Sequence, residues 1–475
     1  MGDEAKPADG RRDELAQRLL PYVLVLLMPF GIGLAPRLFN DGDVSWHVAV
    51  GRWIWAHRAI PSVDPFSFTM AGKPWVAMEW PADLVMAGAY GLAGFAGLAA
   101  VVTAALVALH LIVFAYLRTR ASPIAIVVTL IVMDVVLAPF MLARPHVLVW
   151  PVVAGWTALL ARSTETGRPP PLWAALLLLV AWTNLHGSFP LAAVIAAPLA
   201  FDALVAAEWK TLRAWLLFAG VSAVAICLNL NGLDGLLQPF RVAQLESLTL
   251  IQEWLPSTPH SQPQFYAALL LGLGLLLWRG VRVPPGRLVL VLVLLALAFT
   301  QVRHQSWFAI VAVLLVPPLF AGNAEPGRKL LPLALLAVPL VLLRGLIPLA
   351  PAENVANPRS LIAAIPPALR DQPVFNEYSF GGPLILAGIR PYIDGRSELY
   401  GDAFMTDYVR ILGGDMARFD RAVARYDIRW AMLPAKSDLG AALEKSGGWK
   451  RTYADRVGAI YVRDARSTIS ERKAL

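Results

Sequence analysis

The feature that most constrains this chain is a succession of about eleven apolar segments of roughly membrane-spanning length. A bilayer core of about 30 Å is crossed by roughly 17–25 apolar residues in a helix. The predicted spans are residues 19–37, 95–117, 122–141, 145–161, 171–185, 188–207, 212–230, 263–278, 288–302, 305–321 and 329–349. The sequence therefore predicts a polytopic α-helical membrane protein with about 11 transmembrane helices.

The composition excludes a soluble globular protein. Of the 475 residues, 57% are hydrophobic and 16% are charged, whereas soluble domains are roughly 45–50% apolar and about 25% charged. The net charge of +8 would indicate nucleic-acid binding in a soluble chain, but here the basic residues collect in loops between spans. We expect no nucleic-acid partner. The single cysteine, Cys227, excludes an intrachain disulfide.

The loops give an orientation. Basic residues such as Arg118, Arg120, Arg328 and Lys329 lie in alternate loops, which the positive-inside rule places in the cytoplasm. An odd number of spans then puts the N-terminus inside and the C-terminus outside, in the periplasm or at the cell exterior. The predicted parts are a cytoplasmic tail at 1–18, a transmembrane domain at 19–350 with an outer loop at 38–80, and an outer domain at 351–475.

The last 125 or so residues are more charged, and their apolar periodicity is mixed. Short β-branched and aromatic runs predict strands, and amphipathic stretches predict helices between them. The predicted strands are 373–376, 390–394, 429–433 and 458–462, and the predicted helices are 384–388, 402–412 and 416–426. This alternation predicts a small α/β domain against the outer mouth of the membrane domain.

Polar residues concentrate at the outer ends of the predicted spans. Five of the seven histidines fall on that face: His47, His146, His186, His260 and His304. Ionisable residues near membrane depth are costly and mostly serve function or pairing. The pattern indicates one polar site at the outer surface. The alternative is that the outer loops are simply longer and hold more of every residue type.

Two carboxylates, Asp41 and Asp43, open the outer loop just before residues 44–57, which are predicted to form an interfacial amphipathic helix. Such a pair can share Mg²⁺ or Mn²⁺, or one acid can act as general base while the other orients it. The alternative for Asp43 is a helix N-cap. Glu79, at the start of a predicted re-entrant or interfacial helix over 78–94, can join this site or be a solvated loop acid.

Cations stand at the ends of two other outer spans, in Arg144-Pro145-His146 and Arg303-His304. They suit a phosphate ligand, because arginine binds phosphate in a bidentate manner. The alternative, snorkelling of arginines to the interface, does not explain two Arg–His pairs. His186 lies at a tight turn between two spans, where a histidine is more often structural.

A dense polar run covers residues 392–400. Asp394-Gly395 predicts a turn, and Arg396 and Glu398 are candidates for an ion pair. The run is either structural or closes over a sugar or lipid headgroup. No phosphate-binding glycine loop, G-x-S-x-G motif or metalloprotease motif is present in the sequence.

Taken together, these motifs resemble a group of bacterial GT-C membrane glycosyltransferase-like proteins over nearly the whole chain. The residues that carry the resemblance are Asp41-X-Asp43-X-X-Trp46-His47 with Gly51, Ile60-Pro61-X-X-Asp64-Pro65-Phe66-Ser67, Glu79-Trp80, Arg144-Pro145-His146, Asn184-X-His186-Gly187, Asn376-Glu377-Tyr378-X-Phe380-Gly381-Gly382 and Ile393-Asp394-Gly395-Arg396. One departure is that Gly42 separates the two acids, which are adjacent in some members of the class.

The resemblance implies transfer of a sugar from a polyprenyl-phosphate carrier to a glycan, lipid or protein acceptor at the outer face of the bacterial inner membrane. It implies that Asp41 or Asp43 is the general base or a ligand of a divalent cation. The implied substrate and lipid-phosphate site comprises His47, Glu79, Arg144, His146, His186, Arg303, His304, Asp394 and Arg396.

Two other functions stay open on the sequence alone. One is a GT-C-shaped protein that binds lipid-linked glycan or partner proteins in envelope polysaccharide assembly without turnover. The other is a transporter, whose support is limited to Asp134 and Asp202 within spans. A transporter is disfavoured because its polar residues would lie near the bilayer midplane rather than at one face.

Overall fold

The computed structural model describes residues 8–168, 170–205, 209–316 and 330–464. Its first part is helical, and each predicted span coincides with a helix. The helices are α1 (Ala8–Gly33), α2 (Asp43–His57), α3 (Trp80–Leu117), α4 (Pro123–Leu137), α5 (Pro145–Thr166), α6 (Leu172–Leu185), α7 (Leu191–Leu204), α8 (Trp209–Cys227), α9 (Gly232–Val242), α10 (Pro263–Arg279), α11 (Pro285–Thr300), α12 (His304–Leu315) and α13 (Leu331–Leu346). Short 3₁₀ turns at Pro36–Phe39, Ala138–Phe140, Glu246–Leu250 and Gln252–Trp254 connect some of them.

Within the described residues, four helices are long and apolar enough to cross a membrane: Trp80–Leu117, Pro123–Phe140, Pro145–Thr166 and Trp209–Cys227. Seven shorter apolar helices correspond to the other predicted spans. Three predicted features lie partly or wholly outside the described residues: residues 1–7 of the predicted tail at 1–18, the end of the predicted span 305–321, and the predicted cytoplasmic residues Arg328 and Lys329.

The centre of the bundle is α3, which packs against α1, α2, α5 and α13. It is two helices joined by a kink at Ala93 and Gly94, where Gly94 has a φ of 57°. The left-handed region favours glycine because it has no Cβ. Residues 80–92 therefore form a separate short helix, which agrees with the helix predicted at 78–94. A Cβ at Gly51 would overlap the backbone carbonyl of Asp83, so α2 crosses this short helix in close contact.

The C-terminal residues build a four-stranded sheet in the order β1-β2-β4-β3, with β1 (Val374–Asn376), β2 (Trp430–Pro434), β3 (Trp449–Ala454) and β4 (Gly458–Arg463). The pair β1 and β2 is parallel, and the other two pairs are antiparallel. The accompanying helices are α14 (Arg359–Ala363), α15 (Gly381–Leu386), α16 (Ser397–Leu412), α17 (Met416–Tyr426) and α18 (Asp438–Ser446). Sequence analysis missed α14, α18 and β3.

The predicted strand at 390–394 is wrong. The backbone there pairs with a side chain instead of a neighbouring strand, because Asn376 Oδ1 accepts the N–H of Tyr392 at 2.8 Å and Asn376 Nδ2 donates to the carbonyl of Ile393 at 2.8 Å. The Thr69 hydroxyl donates to the carbonyl of Tyr392 at 2.7 Å. These side chains satisfy the backbone groups that a strand would pair with its neighbour.

A buried ionic cluster joins the first loop to the C-terminal part. Arg396 Nη1 donates to Asp64 at 2.7 Å, while Nη2 and Nε donate to Asp394 at 2.6 and 2.8 Å. The Tyr400 hydroxyl donates to Asp394 at 2.7 Å, and the Arg396 guanidinium lies 4.6 Å from the ring centre of Trp75. The side chains of Arg396, Asp394 and Asp64 are 0% exposed.

In this cluster Asp394 and Arg396, which the sequence placed at the substrate site, contact protein groups. Their polar atoms are directed at protein partners and are sealed from solvent. The expected Arg396–Glu398 pair is wrong, because Glu398 accepts from the indole N–H of Trp75 at 3.2 Å. Although burial opposes ionisation of Asp394, Arg396 outweighs it and lowers the pKa of Asp394. The cluster holds the first loop on the C-terminal part.

Replacing Arg396 tests this structural role. Arg396→Met leaves two buried carboxylates unpaired, so we expect the free energy of unfolding to fall by about 3–5 kcal/mol. Thermal denaturation and protease cleavage of the first loop would report the loss. The matched control is Arg429→Met, which breaks the exposed pair with Asp427; it should change stability by less than about 0.5 kcal/mol. Equal effects of the two variants would contradict the role.

Candidate functional site

The site is organised around Arg144, the residue before α5. Its Nη1 lies 3.0 Å from Asp41 Oδ2 and 3.3 Å from Glu253 Oε2, and its Nη2 lies 3.1 Å from Asp43 Oδ2. Pro145 begins α5 and restricts Arg144 to an extended backbone conformation. One guanidinium, which is always charged, thus gathers three carboxylates from two separate loops.

The interpretation of Asp43 as a helix N-cap is wrong. The N-cap residue of α2 is Gly42, and Asp43 is the first helical residue, without a capping contact from its side chain. Asp41 makes the local contact instead, because its Oδ1 accepts the backbone N–H of Asp43 at 2.8 Å. Asp41 is therefore committed to this turn and to Arg144, which leaves Asp43 as the less constrained acid.

Glu253 bridges the two site arginines. Its Oε1 lies 3.6 Å from Arg303 Nη1, and the backbone N–H of Arg303 donates to the carbonyl of Glu253 at 3.0 Å. The Arg303 guanidinium also lies 4.1 Å from the ring centre of Trp254. Burial opposes ionisation of Glu253, but Arg144 and Arg303 outweigh it and lower its pKa to about 2. Glu253 is thus a carboxylate held between two guanidinium groups.

These groups border a cavity of about 610 Å³. Its wall includes Arg144, His146, His186, Glu253, Arg303 and Trp307. The imidazole of His146 is fixed by its Nε2, which donates to the carbonyl of Phe140 at 2.8 Å. The rings of His146 and His186 are 6.4 Å apart, and His186 lies 5.8 Å from Trp307. The cavity therefore combines two arginines with imidazole and indole surfaces.

A second group of ionisable residues lies behind His186. Glu79 Oε1 is 3.4 Å from His186 Nε2, and Glu79 Oε2 is 3.7 Å from His47 Nε2. The other ring nitrogen of His47 lies 2.7 Å from Asp83. Glu79 is thus not a solvated loop acid, although 22% of its side chain is exposed.

Burial shifts two site carboxyls into the range where a proton exchanges near neutral pH. Burial and the neighbouring Asp41 raise the pKa of Asp43 to about 7. Burial, with Glu398 and Asp43 adding to it against Arg144 and Arg303, raises the pKa of Glu79 to about 8. Burial lowers the pKa values of His47 and His186, so these rings are neutral. Asp43 and Glu79 contact Arg144 and His186 of the cavity wall, and carboxyls with perturbed pKa values beside a polar cavity are candidates for proton transfer.

The structure brings most of the expected residues together. Asp41, Asp43, His47, Glu79, Arg144, His146, His186 and Arg303 meet through the contacts above. His304 does not line the cavity, because adjacent residues of a helix face about 100° apart and Arg303 occupies the inward direction. Ser306 and Trp307, one turn further along α12, line the wall instead.

The arrangement does not fit a divalent cation. The oxygens of Asp41 and Asp43 that would bind one are turned to the guanidinium of Arg144. Among the residues that the structure describes, no group of three or more carboxylate, histidine or cysteine side chains is arranged to hold a metal ion. Mg²⁺ requires oxygen ligands in near-octahedral geometry, which these paired carboxylates do not supply.

Two residues of the site, Glu253 and Asp83, were not assigned to it from the sequence. Glu253 lies in a single 3₁₀ turn, which is too short for a sequence pattern to indicate the direction of its side chain. Asp83 has a local signal: Glu79 and Asp83 are four residues apart, as are His47 and Gly51, so each pair shares one helix face. The close crossing at Gly51 brings the two faces together.

The crystal structure of ArnT from Cupriavidus metallidurans in the apo state matches with a TM-score of 0.52 and 14% identity, covering 94% of this chain and 98% of that chain. The same protein bound to undecaprenyl phosphate matches with a TM-score of 0.50 and 14% identity, covering 95% and 98%. The chain has a GT-C fold. No family model and no curated protein matches the sequence.

At 14% identity the match to ArnT shows a shared fold and does not transfer a reaction. It agrees with the GT-C architecture expected from the motifs. The two acids that supported the transporter alternative have structural partners here. Asp134 contacts His110 at 3.1 Å, and Asp202 accepts the N–H of Gly286 at 2.7 Å at the start of α11.

The raised pKa values predict a pH dependence of stability. The folded protein keeps protons on Asp43 and Glu79 that an unfolded chain releases near pH 4 to 4.5. The contribution of these two groups to stability is therefore full below that range, falls as the pH rises above it, and is lost once the pH has passed about 7 for Asp43 and about 8 for Glu79. We expect Glu79→Gln to remove part of the fall, on the order of 2–3 kcal/mol after allowance for partial exposure.

Melting temperatures measured across this pH range check the expectation. The matched control is Glu246→Gln, an exposed acid in the loop that carries Glu253. The control should follow the wild-type curve. A Glu79→Gln curve that also follows the wild type would show that Glu79 ionises normally in the folded protein.

Proposed function

We propose that this protein is a membrane glycosyltransferase that transfers a sugar from a polyprenyl-phosphate carrier to a glycan, lipid or protein acceptor. The observation that carries the proposal is the pair of guanidiniums, Arg144 and Arg303, held on either side of Glu253 in one cavity. A phosphate can replace a carboxylate between two arginines, since each of these anions presents two oxygens that accept the paired N–H donors of a guanidinium. The GT-C fold, and the undecaprenyl phosphate bound to the ArnT neighbour, support the same ligand class.

The reaction has three parts in this site. An acceptor hydroxyl attacks the anomeric carbon, and the bond from that carbon to the phosphate oxygen breaks. The electron pair leaves with the phosphate, whose negative charge Arg144 and Arg303 neutralise. The acceptor proton passes to a carboxylate, for which Asp43 and Glu79 are the candidates because their pKa values are raised to about 7 and 8. Asp41 orients Asp43 and Arg144.

The proposed location is the bacterial inner membrane, with the N-terminus in the cytoplasm and the site and C-terminal domain in the periplasm. The basic residues of the alternate loops support this orientation. A polyprenyl carrier supplies the driving force without a nucleotide, so a periplasmic active site would need no soluble nucleotide-sugar. The second candidate, a GT-C-shaped protein that binds lipid-linked glycan without turnover, is favoured by the ion pairs that already neutralise both arginines.

Sugar transfer in reconstituted vesicles tests the proposal. With an undecaprenyl-phosphate-linked sugar as donor, the wild type should transfer and Arg144→Gln should lose at least about 100-fold in rate. Arg144→Lys should recover little of the lost rate, because the single ammonium group of lysine cannot make the paired hydrogen bonds of a guanidinium. The control is Arg241→Gln, whose exposed pair with Asp234 lies outside the cavity. Donor binding by the wild type without any transfer would favour the non-catalytic function.

A substitution at Glu253 tests the phosphate site by ligand binding, without a transfer assay. Because its carboxylate occupies the space between the two arginines, Glu253→Gln should free them for an anion. We expect undecaprenyl phosphate to bind roughly fivefold to tenfold more tightly, as measured by ligand-induced shifts in melting temperature. Glu246→Gln, on the same loop, should leave affinity unchanged. Weaker binding in Glu253→Gln would mean that the carboxylate orients the arginines rather than competing with phosphate.

A further inference from the structure

A buried imidazole–carboxylate pair stands directly behind Glu79. His47 is 1% exposed and Asp83 is 1% exposed, and their side chains are 2.7 Å apart. Neither reaches the cavity wall. The indole ring of Trp46 stacks on the His47 ring at 3.6 Å, and the close crossing of α2 and α3 at Gly51 fixes the two helices relative to each other. The pair is therefore rigid and shielded from water.

Hydrogen-bond directions follow from the contacts. The backbone N–H of Ser188 donates to His186 Nδ1 at 3.1 Å, so a neutral His186 carries its proton on Nε2, which faces Glu79 Oε1. His47 Nδ1 faces Asp83, so a neutral His47 donates there and presents the lone pair of Nε2 to Glu79 Oε2. The two oxygens of Glu79 thus face one ring nitrogen each, at 3.4 Å for His186 and 3.7 Å for His47.

We propose that Asp83 and His47 form a proton store for Glu79, which makes Glu79 the carboxylate that accepts the proton of the acceptor hydroxyl. The proton of Glu79 passes to His47 Nε2, and Asp83 stabilises the imidazolium that results. The freed carboxylate then takes the acceptor proton as the new glycosidic bond forms. No oxidant or further reactant is required. This inference rests on the proposed transfer reaction and names a positioning role for Asp83 within it.

Asp43 is less suited to the same task. Its carboxylate is paired with Arg144 at 3.1 Å, and protonating it would remove a partner of the guanidinium just as phosphate charge develops. Glu79 has no arginine contact of that kind, and its two neighbours are neutral imidazoles. The pKa of Glu79, raised to about 8 by burial, agrees with a carboxyl that holds a proton until one is required elsewhere.

The gap of 3.7 Å between Glu79 and His47 is longer than a hydrogen bond. Catalytic contacts often tighten only when substrate binds, and a small rotation of the Glu79 carboxylate closes this one. Other charged groups also face Glu79 and contribute to its titration: Arg144, Arg303, Asp43 and Glu398. These groups are unchanged in the variants below, so they contribute equally to the titration of Glu79 in the wild type and in the variants.

Asp83→Asn is the direct test, because asparagine has nearly the same shape and can still accept from His47 Nδ1. When Glu79 loses its proton in the wild type, Glu79 and Asp83 both carry a negative charge. In the variant only Glu79 carries one. The midpoint for loss of the Glu79 proton should therefore fall. Infrared difference spectroscopy measures it through the carboxyl band that is absent in Glu79→Gln, and it requires no substrate.

The rate gives the second readout. With the store removed, kcat should fall by about 10²-fold while KM for the undecaprenyl-phosphate-linked sugar stays within about twofold. Unchanged binding of undecaprenyl phosphate confirms that the variant is folded. If Asp83→Asn does not fold, His47→Gln replaces it in both measurements. We expect the same fall in the midpoint of the Glu79 titration and in kcat.

The matched control is Asp134→Asn. It alters another buried aspartate–histidine contact, with His110 at 3.1 Å, that touches none of the site residues described here. It should change neither the midpoint nor kcat. An unchanged midpoint in Asp83→Asn overturns the proton store, and so does an unchanged kcat. If the wild type transfers no sugar, the proposed function fails, whereas the infrared titration still decides whether Asp83 and Glu79 are coupled.

Discussion

The arrangement of the site depends on the charge of Arg144. A guanidinium that is mostly buried costs several kcal/mol unless it is paired, and arginine cannot lose its proton in a protein. Its carboxylate partners come from positions 103 and 109 residues away in the sequence. The first loop, the start of α5 and the loop before α10 therefore cannot be placed independently. The same ion pairs that hold these segments together also place Arg144, Glu253 and Arg303 on the wall of one cavity.

Two ionic clusters of similar composition serve different purposes in this protein. Around Arg396 the side chains are sealed from solvent and every charge has several partners, and the pKa of Asp394 is lowered. Around Arg144 the side chains stay partly exposed, between 17% and 33% for Asp43, Asp41 and Glu253. The carboxyls of Asp43 and Glu79 hold protons near neutral pH there. An ionic cluster whose charges are all paired stabilises the fold, whereas a cluster with exchangeable protons can take part in proton transfer.

Sequence reasoning succeeded where the signal was local. The apolar segments became helices near their expected bounds, and α17 over Met416–Tyr426 was predicted at the observed limits. The meeting of Asp43, Arg144 and Arg303 was expected from their shared face. It failed for the strand at 390–394, because Asn376 supplies the backbone partners from another element. Asp394, Arg396 and His304 have residue types that suit a phosphate site, but they do not line the cavity.

The sequence by itself determined the helical membrane architecture and the end of the bundle where polar groups gather. Both follow from runs of apolar residues and from the free-energy cost of charge near a bilayer. These signals can be recognised within a single segment of the sequence. Only the tertiary structure decided which polar residues touch. The pairs Arg396–Asp64 and His47–Asp83 join positions 332 and 36 residues apart, and no periodicity encodes them. Burial, which shifts the pKa values of Asp43 and Glu79, likewise exists only once those contacts have formed.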